Sequence, residues 1–143
     1  MPTYQASLAE TGVPARYQEK GVFAVVSTYT APASGAPVGG DTIQMMKVQS
    51  GVTVIDAFMV FADMSTASDV TFAVGDDGET NRFIVATDVD AAAGSARMTK
   101  SPYTYAADNT IDITIGGAGT SALASGAKVN LVVYMTAEEV DLV

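Results

Sequence analysis

Between Gly40 and Asp88 the chain reads GGDTIQMMKVQSGVTVIDAFMVFADMSTASDVTFAVGDDGETNRFIVATD, four short apolar segments separated by turn residues. Segments of this length, rich in Val, Ile, Phe and Thr, suit a pleated sheet; packed helices need longer periodic runs. Ser50-Gly51 separates the first two segments, and Gly75-Asp76-Asp77-Gly78-Glu79 the last two. Gly supplies positive φ and Asp a local side-chain acceptor, which tight turns require. The pattern predicts two successive hairpins. One joins Asp41–Gln49 to Val52–Asp63, the other Asp69–Val74 to Arg82–Thr87, and the class is antiparallel all-β.

The flanking sequence extends this pattern. Lys20 to Thr30 (KGVFAVVSTYT) reads as a first strand, and Ala31 to Gly40 (APASGAPVGG) as a Pro/Gly-rich loop. Pro102 to Ala106 reads as a short strand. Thr110 to Ile115 places Ile111, Ile113 and Ile115 on one face, and Lys128 to Thr136 is a last strand. Asp88 to Lys100 is Ala-rich and reads as loop with room for one helical turn, which Gly94 keeps from extending. Gly116 to Ala127 is a loop of small residues, and AEEVDLV an acidic tail. Residues 1–19 lack a sustained period and read as an extended N-terminal arm, so residues 20–143 form a single β-sandwich domain. About eight strands spaced roughly 8–12 residues apart fit an antiparallel two-sheet sandwich, with a jelly-roll-like arrangement the simplest. An immunoglobulin-like sandwich is the second choice, lacking here its Cys and Trp core marks.

The strand Val52 to Phe61 is apolar on both faces. Val52, Val54, Phe58 and Val60 fall on one, and Ile55, Ala57, Met59 and Phe61 on the other. A half-solvated strand alternates, so this one is expected to be covered on both sides, by a loop or by another subunit. Asp56 interrupts one face and calls for water or a hydrogen-bonding partner.

Several chemistries are excluded by residue type. The chain has no cysteine and no histidine, which removes disulfides, thiol catalysis, Ser-His-Asp triads and most transition-metal sites. Its net charge is −9, from 16 acidic and 7 basic residues, and the cations are scattered. Nucleic acid and anionic membrane are therefore not expected partners. The N-terminal sequence has no secretory pattern and no apolar run reaches a membrane span. Asp76, Asp77 and Glu79, with Asp88 and Asp90, form an acidic cluster that Ca²⁺ chemistry could use, but the spacing departs from an EF-hand and suits a turn. Tyr103 and Tyr105 share a strand face; they could stack on a sugar, but packing on a sheet face or interface is the expected reading. Gly116 to Thr120 (GGAGT) lacks the ending of a phosphate loop. Met45, Met46, Met59 and Met64 read as core filler. No enzyme activity, cofactor or metal is expected.

The segment DVTFAVGDDGETNRFIVATD (Asp69–Asp88), followed by AAAGSA (Ala91–Ala96), resembles head-decoration (cement) proteins of tailed bacteriophages. In them a strand, a GD-G hairpin, an RFI-AT strand and an Ala-rich loop follow in the same order. The resemblance implies a jelly-roll or β-sandwich protein on the outer capsid surface, assembled as a homotrimer and made in the bacterial cytoplasm. It implies the major capsid protein as partner. The contact residues expected on this basis are Tyr4 and Tyr17 of the arm, and Val54, Phe58, Met59 and Phe61 of the two-sided strand. A receptor- or glycan-binding head of a phage fibre is the alternative, and a calcium-dependent or plain module of a host surface assembly a third reading.

Overall fold

The computed structural model describes residues 2–6, 21–65, 69–117 and 122–137. Among them are ten strands and no helix: β1 (Thr3–Gln5), β2 (Val22–Thr30), β3 (Thr42–Val48), β4 (Thr53–Phe61), β5 (Thr71–Gly75), β6 (Ile84–Asp88), β7 (Gly94–Arg97), β8 (Tyr103–Thr104), β9 (Asn109–Gly116) and β10 (Lys128–Thr136). The first sheet runs β1-β3-β9-β5-β6 and the second β2-β10-β4-β7, with β8 also paired to β4. Without β1 and β8, successive strands alternate between the sheets except at β5–β6. That four-and-four exchange is the jelly-roll-like sandwich expected from the sequence.

The two most regular strands lie inside the sheets and carry the core. β9 turns Ile111, Ile113 and Ile115 inward, and β10 turns Val129, Leu131, Val133 and Met135 inward, none more than 1% exposed. Each such side chain contributes roughly 1.5–3 kcal/mol of burial energy. Met45, Met46, Met59 and Met64 are fully buried among them, filling the space between β-branched neighbours.

Three local expectations are corrected. The Asp41–Gln49 and Val52–Asp63 segments do not form a hairpin, because β3 pairs with β1 and β9 while β4 pairs with β10, β7 and β8. Ser50-Gly51 is a corner that carries the chain from one sheet to the other. Val48 and Val52, on either side of it, are both buried, and this requires the two strands to face each other across the core. The corner is held by bonds to the β8–β9 connection: Gly51 N–H donates to Tyr105 C=O (2.8 Å), Ser50 N–H to Asp108 Oδ1 (2.9 Å) and Ser50 Oγ to Ala106 C=O (3.0 Å). Gly51 takes a φ of 88°, which only glycine adopts without strain.

The second correction concerns β4. Its two apolar faces are explained by a register shift opposite Tyr134 and Met135, which inserts Ile55 as an extra residue. Before the shift Val52 and Val54 point into the core; after it Ala57, Met59 and Phe61 do. Each face thus supplies the core over part of the strand, while Phe58 and Val60 stay on the outer face of the sheet. Third, the Ala-rich segment expected as loop contains strand β7, recruited by the edge of β4 between Phe58 and Phe61. β1 pairs with β3 in parallel, the one parallel pair among the described strands, so part of the expected arm belongs to the first sheet.

The second expected hairpin is present, with β5 antiparallel to β6. Its loop folds back so tightly that a Cβ on Gly75 would strike the backbone of Glu79 and Thr80. Replacing Gly75 with Ala should therefore cost about 2–4 kcal/mol in a denaturant titration. Gly78→Ala is the control: a Cβ there meets only side-chain atoms of Arg82 and Asp76, at 3.2 and 3.3 Å, and should cost much less.

Candidate functional site

The acidic turn is the densest polar cluster described. Asp76, 2% exposed, is its centre. Its Oδ1 accepts from the N–H groups of Gly78 and Glu79 (both 3.0 Å) and from Arg82 Nη2 (3.2 Å). Its Oδ2 accepts from Arg82 Nε (2.6 Å) and the Tyr105 hydroxyl (3.0 Å). The Arg82 guanidinium lies 3.9 Å from the centre of the Tyr103 ring, which meets Tyr105 edge-on at 5.0 Å. One carboxylate thus joins the β5–β6 turn in the first sheet to residues at β8 in the second.

Burial alone would raise the Asp76 carboxyl. The bonds from Arg82, the Glu79 N–H and Tyr105 outweigh it and hold the group below the ordinary carboxylate range. Tyr105 is pushed well above the ordinary phenol range, first by burial and then by the Asp76 charge. These groups are fully committed to one another. Asp77 accepts from Asn109 Nδ2 at 2.9 Å, Glu79 pairs with Arg82 and more distantly with Lys100, and Asp90 caps the N–H of Val70 at 2.7 Å. Among the described residues no group of three or more acidic side chains is placed to hold a metal ion. The Tyr pair is not a sugar platform either: Tyr105 is 2% exposed and Arg82 covers the Tyr103 ring.

Asp112 has the opposite character. It is 6% exposed on β9, between Gln44 of β3 and Gly75 of β5, and among the described residues its Oδ1 has no hydrogen-bond partner. Burial raises its carboxyl to about 6; the Thr110 side chain lowers it, and the Asp77 and Asp76 charges add to the rise.

The surface best suited to a partner is the outer face of the second sheet. Register places Val26, Val132 and Phe58 in one row across β2, β10 and β4. Ala24, Tyr134 and Asp56 form the next row, and Thr28, Asn130 and Val60 another. Val22, Val26 and Val60 are 61%, 59% and 44% exposed, three of the four large apolar side chains so exposed among the described residues. Phe58 and Tyr134 are in tilted ring contact at 6.2 Å, and Arg97 extends over Phe58 while bonding Asp56 at 2.9 Å. The interrupting Asp56 therefore has its partner on β7.

The expected contact residues separate accordingly. Phe58 lies on this outer face. Val54, Met59 and Phe61 are buried and pack the core, because the bulge in β4 turns them inward. Tyr4 is half-buried and lines a groove of about 540 Å³ with Gln5, Ala6, Thr28, Tyr29, Thr30 and Pro32. Tyr17 lies outside the described residues, as do Ala118–Thr120 of the Gly-rich loop and the acidic tail beyond Ala137. Val22, Val26, Val132 and Tyr134 were not singled out from sequence. Their signal is the out-facing apolar half of β2 and β10, read as ordinary strand composition.

No protein-family model matches the chain, and no curated protein sequence does. Solved structures match its fold. A chain in the capsid of Ralstonia phage GP4 superposes with a TM-score of 0.79 at 19% identity, over 97% of this chain and 100% of that one. A chain in the cyanophage Pam1 capsid asymmetric unit gives 0.64 at 19% identity, covering 86% and 89%. One in the acidic stable capsid structure of Helicobacter pylori bacteriophage KHP30 gives 0.52 at 21%, covering 80% and 91%. The likeness is one of fold, spanning nearly the whole chain in the first case.

Two predictions follow from the paired and unpaired carboxylates. Asp76→Asn should destabilise the fold by about 2–4 kcal/mol at pH 7, and Tyr105→Phe by about 1.5–3 kcal/mol, in denaturant titrations. Asp112 should behave oppositely. Its carboxyl is raised in the folded state, so its ionisation opposes folding above about pH 6 and that opposition disappears as pH falls toward 4. Asp112→Asn should therefore stabilise the protein at pH 8 by up to about 3 kcal/mol, with the gain vanishing near pH 4. Stability of the unsubstituted chain should rise from pH 8 to mildly acidic pH, then fall as Asp76 protonates below the ordinary carboxylate range.

Proposed function

We propose that this chain is a non-catalytic structural protein of a phage virion, and within that class a decoration or cement protein bound to the outer surface of the shell. The observation that carries the reading is the end-to-end superposition on a chain from the capsid of Ralstonia phage GP4.

The chemistry of the surface supports the same reading. The buried ionisable cluster joins the two sheets, and the apolar outer face of β2, β10 and β4 offers extended area for a partner. A protein that adds stability to a shell needs area, rigidity and many copies; it needs no reactive group. The partners are then the major capsid protein and further copies of this chain. A trimer is what the family resemblance implies. The protein would be made in the bacterial host cytoplasm and reside on the virion.

The role can be tested on particles assembled with and without the protein. Heating them while following genome release with a DNA-binding dye should show release at lower temperature when the protein is absent, and recovery when purified protein is added back. Phe58→Asp, which places a charge on the outer face without disturbing the core, should weaken the add-back by at least tenfold in the concentration needed. Equal release temperatures with and without the protein would remove the cement role.

A further inference from the structure

Asp112 is buried on the side of its sheet that points away from the core. Ile111 and Ile113 are 0% exposed in the core, so alternation along β9 turns Asp112 to the outer face, where it is still only 6% exposed. Part of its cover comes from the β5–β6 turn. Gly75 is its partner on β5, so the two positions share that face. The Glu79 carbonyl fills the place that a side chain at Gly75 would take, with the Thr80 backbone beside it. Two amides seat this carbonyl: Asp76 N–H donates to it at 3.0 Å and Arg82 N–H at 3.2 Å. Positions directly opposite in a ladder stand roughly 5 Å apart, so the Glu79–Thr80 strip lies alongside Asp112. Glu79 and Thr80 are themselves exposed, and on the β5 side this strip of chain stands between Asp112 and water.

The surroundings suit a neutral carboxyl better than an ionised one. The Thr110 side chain bonds it, and among the described residues its Oδ1 has no partner. On the turn side stand the Glu79 carbonyl and the carboxylates of Asp76, Asp77 and Glu79, with Arg82 bonded to Asp76 (2.6 Å) and Glu79 (3.4 Å). On the β3 side is Gln44, whose Oε1 accepts from Gln5 Nε2 at 3.0 Å; Lys47 stands further along, opposite Thr110. The strand β1 brings no charge. An ionised Asp112 loses its hydration here without gaining donors in exchange. A neutral one has an O–H to offer to the acceptors around it. Ionisation therefore favours a movement that readmits water. Releasing the two amides on the Glu79 carbonyl is a smaller movement than parting β9 from β3 or β5.

We propose that the Glu79–Thr80 strip is a lid over Asp112, closed while that carboxyl holds its proton and loosened when it ionises. With the lid closed, burial holds the carboxyl up at about 6; with the lid open, it returns to the ordinary carboxylate range of about 4. The proton-linked part of closure is therefore complete below about pH 4 and is lost as pH rises to about 6. The bonds from Asp76 to Arg82 and Tyr105 stay in place, so the sheets remain joined while the lid moves. The lid is a local response of one sheet face to pH and does not depend on the virion role.

The test is residue-resolved hydrogen exchange on the full chain at pH 5 and pH 8, with each rate referred to that of an unstructured peptide at the same pH. The amides of Asp76 and Arg82, which bond the Glu79 carbonyl, report on the lid; those of Ile113 and Val133 report on the core strands. The lid amides should be less protected than the core amides, and their protection should fall about tenfold from pH 5 to pH 8. Asp112→Asn and Asp112→Thr, neither able to ionise, should remove that fall while the circular dichroism stays that of the unsubstituted chain. Lid amides that keep their protection while the core amides lose theirs would mean that only global unfolding hydrates Asp112, and would overturn the proposal. Lid amides that exchange only together with the core, or that show the same fall in both variants, would overturn it as well.

Discussion

Everything in this domain rests on two strands facing each other across one apolar layer. β9 and β10 sit inside their sheets and present uninterrupted inward faces of Ile, Val, Leu and Met. The remaining strands are arranged by what they can add to that layer. β4 joins it only because its bulge changes which face points inward. β3 joins it from the opposite side because the chain turns the Gly51 corner instead of doubling back. At the end of the layer marked by the β5–β6 turn, the Asp76 carboxylate fastens that turn to Tyr105, so a desolvated charge holds the sheets where the apolar layer runs out.

This division explains what sequence could reveal. The alternation of Ile111, Ile113 and Ile115 is local, and so is the Gly-Asp-Asp-Gly turn, and both are present where expected. The corner at Ser50-Gly51 uses the same residues as a hairpin turn; which sheet the next strand joins is decided by strands far along the chain. The bulge in β4 is set by Tyr134 and Met135, about eighty positions away in sequence, and cannot be seen in β4 itself. β7 has weak strand propensity and forms because the edge of β4 accepts it, so tertiary pairing overrides composition. Among the candidate contact residues, Phe58 lies on the outer face while Val54, before the bulge, and Met59 and Phe61, after it, point into the core, a change of face that the strand's own sequence does not show.

The polar groups carry a second lesson. The acidic cluster has the composition of a turn, and its central carboxylate is saturated by an arginine, two backbone amides and a phenol. Among the described residues the carboxylate with an unpartnered oxygen is Asp112, buried on the sheet. Opposite responses of these two groups to protonation give the domain a stability that depends on pH. Beside this cluster the described residues offer two surfaces: an apolar sheet face and a long uncharged edge. Both suit a protein whose work is to be packed in many copies, and the fold it shares with chains of phage capsids is consistent with that use.

The most direct test is the number of copies per particle, by quantitative mass spectrometry of purified virions with the major capsid protein as internal standard. The account predicts a copy number of the same order as the major capsid protein. A handful of copies, or none, would contradict it.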